Sequence, residues 1–284
     1  MRGTYKENCQ SRPVLLCFAT VFVLLSKHSI GVHGAMMGRG HMATTSVLWL
    51  ACAPPVAAAA GHTMSAGEII VSTIAIAGWS VWPDWDHSDA RLARTLGPIS
   101  KFFARVVGKL SGGHRVGKTH TLAFAVLMGV LAGALARVPH EFGDVVLPAN
   151  WALIVMMWFL AYTMMLTLGL SVLRSRLIGD EIIALEAAGI VALALWLAPE
   201  EWWWMPWTAA IGCLLHCLQD AMTVRGLPNF FWPLPRVRLR IPVLGRAGGS
   251  REQILTSAAL ASSLWIGPAV LSGHVWWTAE WLVA

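Results

Sequence analysis

Apolar residues run along this chain in long blocks, separated by polar stretches of very unequal length. Blocks at 43–60, 68–82, 121–138, 150–172, 181–198, 207–222 and 253–272 approach the roughly 20 apolar residues that a bilayer-spanning helix needs. They predict an all-α fold, a polytopic transmembrane bundle of about seven spans. Pro54 and Pro55 kink the first block, which a membrane helix tolerates when neighbours satisfy the freed carbonyls. The second and sixth blocks are short, as befits helices that end at a polar site. The longest polar interruption, 83–120, reads as a polar loop on the face where those helices end.

Residues 1–35 stand apart from 36–284, the integral membrane domain. Arg2, Lys6 and Arg12 precede a short apolar run at 14–26, followed by Lys27 and His28. That is the pattern of a signal peptide, with small residues at Gly34 and Ala35. Met36 and Met37 follow at once, so the segment reads first as an extension upstream of a later start. An uncleaved anchor and a cleaved signal are the alternatives.

Composition agrees with the membrane reading. The chain has 284 residues, 56% hydrophobic and 13% charged, against about 25% charged in a typical soluble domain. Sixteen tryptophans include the run E-W-W-W-M-P-W at 201–207, which reads as an interfacial aromatic belt. The five cysteines are scattered, with Cys213 and Cys217 one helical turn apart as packing residues. The net charge of +6 does not indicate a nucleic-acid partner, because the basic residues sit in loops between spans.

Those loops set an orientation. The 83–120 loop carries Arg91, Arg94, Lys101, Arg105, Lys109, Arg115 and Lys118. The 173–180 and 223–252 loops are also basic, whereas 139–149 and 199–206 carry Glu141, Asp144, Glu200 and Glu201 and neither Lys nor Arg. Basic loops belong on the cytoplasmic side. With that assignment His41, Asp84, Asp86, His114, His120, His216 and Asp220 all fall at the cytoplasmic face.

Carboxylates and imidazoles gathered in this way are the ligand set of a divalent metal. In P-D-W-D-H at 83–87, Asp84 and Asp86 alternate along an extended segment, so one serves as a ligand while the other orients a histidine. In G-G-H-R-V-G-K-T-H-T at 112–121, His114 and His120 are ligand candidates, and Thr119 or Thr121 caps the third span. Arg115 and Lys118 in the same stretch suit an anionic substrate group. His216 and Asp220 lie at i and i+4, on one face of a helix that cannot show them to lipid. His41 sits in G-R-G-H at the entry to the first span. Each piece alone also fits a solvated loop or a structural His–Asp hydrogen bond; the convergence of separated segments favours metal. The donor mix suits zinc or manganese, one ion or a pair. His28, His33, His62, His140 and His274 have no patterned company.

The ordered set G-x-x-H, P-D-x-D-H, H-R-x-x-x-T-H and H-x-x-x-D before a G-x-P loop resembles the YdjM-like family of inner-membrane metal-dependent hydrolases. The resemblance spans roughly residues 37–235. It implies a bacterial cytoplasmic-membrane protein with His41, Asp84, Asp86, His114, His120, His216 and Asp220 as metal and catalytic positions. Arg115 matches the family's arginine, and Thr121 stands where serine is common. The insertion 88–113 departs from the shortest members.

The expected function is a membrane-embedded hydrolase acting on a (phospho)ester-type, lipid-like substrate, with membrane lipids as its surroundings. Asp84, Asp86 and Arg115 are the expected catalytic residues, with Arg115 and Lys118 holding substrate. A transporter with a metal site at its cytoplasmic edge, or a non-catalytic protein with a structural His–Asp cluster, is the competing reading. The sequence leaves the oligomeric state open.

Overall fold

The protein is seen as a computed structural model, which describes residues 36–87, 90, 93, 97–112, 117–139, 141–142, 145–146, 150–169, 181–199, 201–234 and 237–272. Segment 1–35 lies outside these residues, as do His114 and Arg115.

The described chain is helical: α1 (Met36–Ala59), α2 (Ala66–Trp79), α3 (Pro98–Ser111), α4 (Leu122–Leu135), α5 (Trp151–Leu168), α6 (Glu181–Leu197), α7 (Met205–Ala221) and α8 (Ser250–Leu271). A two-residue hairpin, Glu141–Phe142 with Val145–Val146, joins α4 to α5. Helices occupy all seven predicted blocks. Four have the length and apolarity to cross a bilayer, at Gly38–Ala59, Ala66–Asp86, Trp151–Leu168 and Ser250–Leu271. The others, α4 at 14 residues and α6 and α7 at 17 each, reach only about 21–26 Å at 1.5 Å per residue. The seven-span count is therefore not established.

Helix α2 is the centre of the bundle. Its residues are mostly apolar and nearly all are buried, polar Glu68, Ser72 and Thr73 included, so it must be surrounded. It packs against α1, α5 and α7. Two glycines allow close approaches to α5 and α7. A Cβ on Gly78 would stand 2.9 Å from Leu160 Cα, and one on Gly212 would stand 2.8 Å from Trp79 Cβ. Small residues at such crossings let membrane helices gain dispersion contacts that lipid would otherwise compete for. Ser65 caps α2 in a reciprocal box with Glu68, whose carboxylate also accepts from Trp203 Nε1 at 3.2 Å.

Two expectations change. Trp202 and Trp204, read as belt residues, are fully buried in the core; of the tryptophans in that run only Trp207 is well exposed. The polar loop 83–120 holds a helix, α3, that its charges concealed. Pro98 opens it and Gly112 closes it in the left-handed conformation, with φ of 92°. Ile99, Phe102, Phe103, Val106 and Leu110 form an exposed apolar stripe, while Lys101, Arg105 and Lys109 alternate with it.

Candidate metal centre

One end of the bundle gathers the polar residues. There the start of α1, the end of α2, the start of α4 and the end of α7 meet. After α2, Pro83 ends the α-helix and the chain tightens into a 3-10 turn, Trp82–Asp86, where extended backbone was expected. In a 3-10 turn residues two apart point in different directions, and this separates the two aspartates.

Asp84 turns toward the histidines: its Oδ1 lies 3.6 Å from His120 Nε2 and 3.5 Å from His216 Nε2. Asp86 turns behind His120. Its Oδ2 accepts from Thr119 Oγ1 at 2.6 Å and lies 3.5 Å from His120 Nδ1. Ser111, the last residue of α3, donates to the same oxygen at 3.5 Å. The hidden helix is thus a wall of the site.

The second 3-10 turn, Lys118–His120, leads into α4. Thr121 is the N-cap, its Oγ1 accepting from Phe124 N at 3.1 Å, which leaves Thr119 for Asp86. From α7, His216 and Asp220 face the same space, with Nε2 and Oδ2 3.8 Å apart. From α1, His41 stacks on His216 with ring centroids 4.1 Å apart, and its Nε2 lies 3.6 Å from Asp220 Oδ1.

Hydrogen bonding decides which nitrogen each ring turns inward. His216 Nδ1 donates to the Ser80 carbonyl at 2.6 Å. His41 Nδ1 donates to Gln219 Oε1 at 2.5 Å, while Gln219 Nε2 donates to Thr45 Oγ1 at 3.0 Å. Thr119 gives its proton to Asp86, so its oxygen accepts from His120 Nδ1 at 3.1 Å. All three rings are held by Nδ1 and point Nε2 at one space, as happens where a hydrogen bond to the far nitrogen orients a metal-ligating histidine.

Two triads could hold a metal ion, His41–His216–Asp220 and Asp84–His120–His216. His120 Nε2 lies 3.3 Å from His216 Nε2 and 3.5 Å from Asp220 Oδ2. Donors about 2.0–2.1 Å from a tetrahedral ion stand roughly 3.3 Å from one another, so the spacing fits. The two nitrogens need a proton or a cation between them, because two imidazole lone pairs at that distance repel. Three buried or half-buried carboxylates add negative charge that a divalent ion offsets. The residues therefore fit a divalent metal.

His120 takes the cation's place when it carries a proton. Burial opposes its charge, but Asp84 and Asp86 outweigh that and lift its pKa to about 9.

Lys118 stands apart. It is exposed, with its ammonium 5.4 Å from the Trp232 ring, and it lines a separate pocket with Ser111, Gly117 and Asn229. Gln219 and Thr45 were not singled out from sequence. A polar residue beside His216 and Asp220 in an apolar helix, and a threonine four after His41, were the available signals.

A family model described as YdjM inner membrane protein matches residues 36–281. The chain belongs to this family. Neither a curated protein nor a solved structure matches it. Its membership of the YdjM family and its apolar helices make it a membrane protein, and the buried His–Asp groups at one end of the bundle are a candidate metal site.

Proposed function

We propose that this YdjM family member is a membrane-embedded, metal-dependent hydrolase of the bacterial inner membrane, acting on phosphoesters at the cytoplasmic interface. The convergence of three Nε2 atoms with Asp84 and Asp220 at ligand spacing carries the reading. Zinc is the favoured ion and manganese the alternative, given imidazole and carboxylate donors without thiolate.

When bound, the ion supplies Lewis-acid polarisation and acidifies water. His41, His120, His216, Asp84 and Asp220 are the residues that would hold it. Asp220 has Oδ1 toward His41 and Oδ2 toward His120, so both of its oxygens would be available as ligands. Asp84 is the half-buried member, with 18% of its side chain exposed, and it is placed to take a proton from incoming water. Asp86 works through His120, keeping Nε2 aimed inward. Arg115, by its match to the family motif, would meet negative charge on the reacting group, and Lys118 would draw the anion in.

A transporter is less well supported, because its sites lie near the bilayer midplane, whereas these residues stand at helix ends. The test is elemental analysis of detergent-purified protein with His120→Ala beside it. One or two zinc or manganese ions per chain, lost in the variant together with phosphoesterase activity, are expected. A folded wild type that neither holds nor takes up metal overturns the reading.

A further inference from the structure

A lengthwise groove runs along the α1–α8 pair. Its volume is about 570 Å³, within the roughly 300–1,000 Å³ of small-molecule sites. Val47, Leu48 and Ala51 line one wall, and Leu255, Ala259 and Ile266 line the other. Both helices are long and apolar enough to span a membrane. They run parallel, since Gly40 approaches Glu252 near their starts while Leu50 and Leu260 share a cluster further along. At its polar end the groove reaches His41 and Asp220 of the metal centre.

From this geometry we infer that the groove binds the acyl tail of a phosphorylated membrane lipid, with the phosphate at the His41–Asp220 end. The inference rests on the hydrolase reading for its chemistry, but the binding site stands on its own lining. A small soluble phosphoester would engage only the polar end and leave these apolar walls to the surrounding lipid. A tail covers them. Leu48 and Leu255 are 46% and 43% exposed, so the groove opens sideways, the route by which a tail exchanges with the bilayer. The mouth suits an anionic head. Arg246 and Arg251 are exposed and directly precede the lining residues Ala247 and Glu252. Two carboxylates also line this end: Glu252 accepts from the Gly248 backbone N–H at 2.6 Å, and Asp220 faces His41, 3.6 Å from its Nε2. Hydrolysis of such a head adds water across the phosphoester, the hydroxyl going to phosphorus and the proton to the departing lipid oxygen.

The test uses full-length protein in nanodiscs of phosphatidylethanolamine and phosphatidylglycerol, with a phosphatidic acid carrying a diazirine near one tail end. Photolabel should concentrate on α1 and α8 peptides around Ala51 and Ala259. The pair Ala51→Trp with Ala259→Trp fills the groove and should cut that label about tenfold, the factor that corresponds to ~1.4 kcal/mol of lost tail contact. Ala261→Trp, at an exposed position outside the groove, should leave it unchanged. Metal content should match wild type in all of them. Label spread evenly over lipid-facing helices and indifferent to the tryptophan pair overturns the inference, even where metal is stoichiometric. Groove-specific label without metal upholds the lipid site while the hydrolase reading fails. Should the tryptophan pair misfold, competition in wild type decides: excess unlabelled phosphatidic acid must suppress the groove label, and failure to do so refutes the site.

Discussion

His216 Nδ1 donates to the backbone carbonyl of Ser80 across the α2–α7 contact, at 2.6 Å. The bond ties the ring to the point where the central helix ends. Ser80 Oγ is engaged elsewhere, donating to the Ala77 carbonyl at 2.7 Å. Ser80→Ala should therefore leave metal content unchanged, because the acceptor is main chain. His216→Ala should remove metal, since His216 belongs to both triads. Elemental analysis of the two variants checks the pair of outcomes; equal metal loss in both would contradict the assignment.

Asp84 and Asp86 should separate in experiment. Asp86 acts through Thr119 and His120, and loss of such an outer partner typically weakens metal affinity about 10–100-fold. Asp86→Asn and Thr119→Val should each show that graded weakening in chelator competition. Asp84→Asn should abolish phosphoesterase activity. Identical behaviour of the two aspartate variants would show that the turn does not divide their roles.

Metal binding and apo stability should depend on pH in opposite senses. His120 has its pKa raised from 6.5 to about 9, facing Asp84, Asp86, Asp220 and His216. In the apo protein its ionised pairing stabilises the fold fully below pH 6.5 and is lost as pH rises through about 9. Metal must displace that proton, so affinity should rise by roughly tenfold per pH unit up to about 9. Melting curves of apo protein and zinc retention against a chelator, each across that range, test both slopes. In His120→Gln both should flatten.

Gly78→Val should lower folded yield sharply. Its Cβ would meet Leu160 Cβ at 2.7 Å and Leu160 Cα at 2.9 Å, where neither backbone can yield cheaply. Overpacking of this kind costs ~1–3 kcal/mol or more. Gly189→Ala, where a Cβ meets nothing, is the matched control. Monodispersity in detergent reads out both.

The helical class and the helix positions were legible in the sequence, because desolvating a backbone in lipid leaves helices as the available solution and writes long apolar runs into the chain. The candidate ligands were legible for the same reason: a histidine and an aspartate at i and i+4 in an apolar helix need an interior to face. The tertiary structure decided what periodicity does not encode. Helix α3 was hidden because its lysines and arginine suggested a loop, although Ile99, Phe102, Phe103, Val106 and Leu110 keep helical spacing. Trp202 and Trp204 entered the core because neighbouring helices cover them, which no local pattern reports. The division between Asp84 and Asp86 arose from a tight turn in place of extended backbone. Gln219 and Thr45 gained their part only when α1 met α7. Composition fixes which residues must avoid lipid, and packing then chooses their partners, because a hydrogen bond depends on positions that distant segments reach only together.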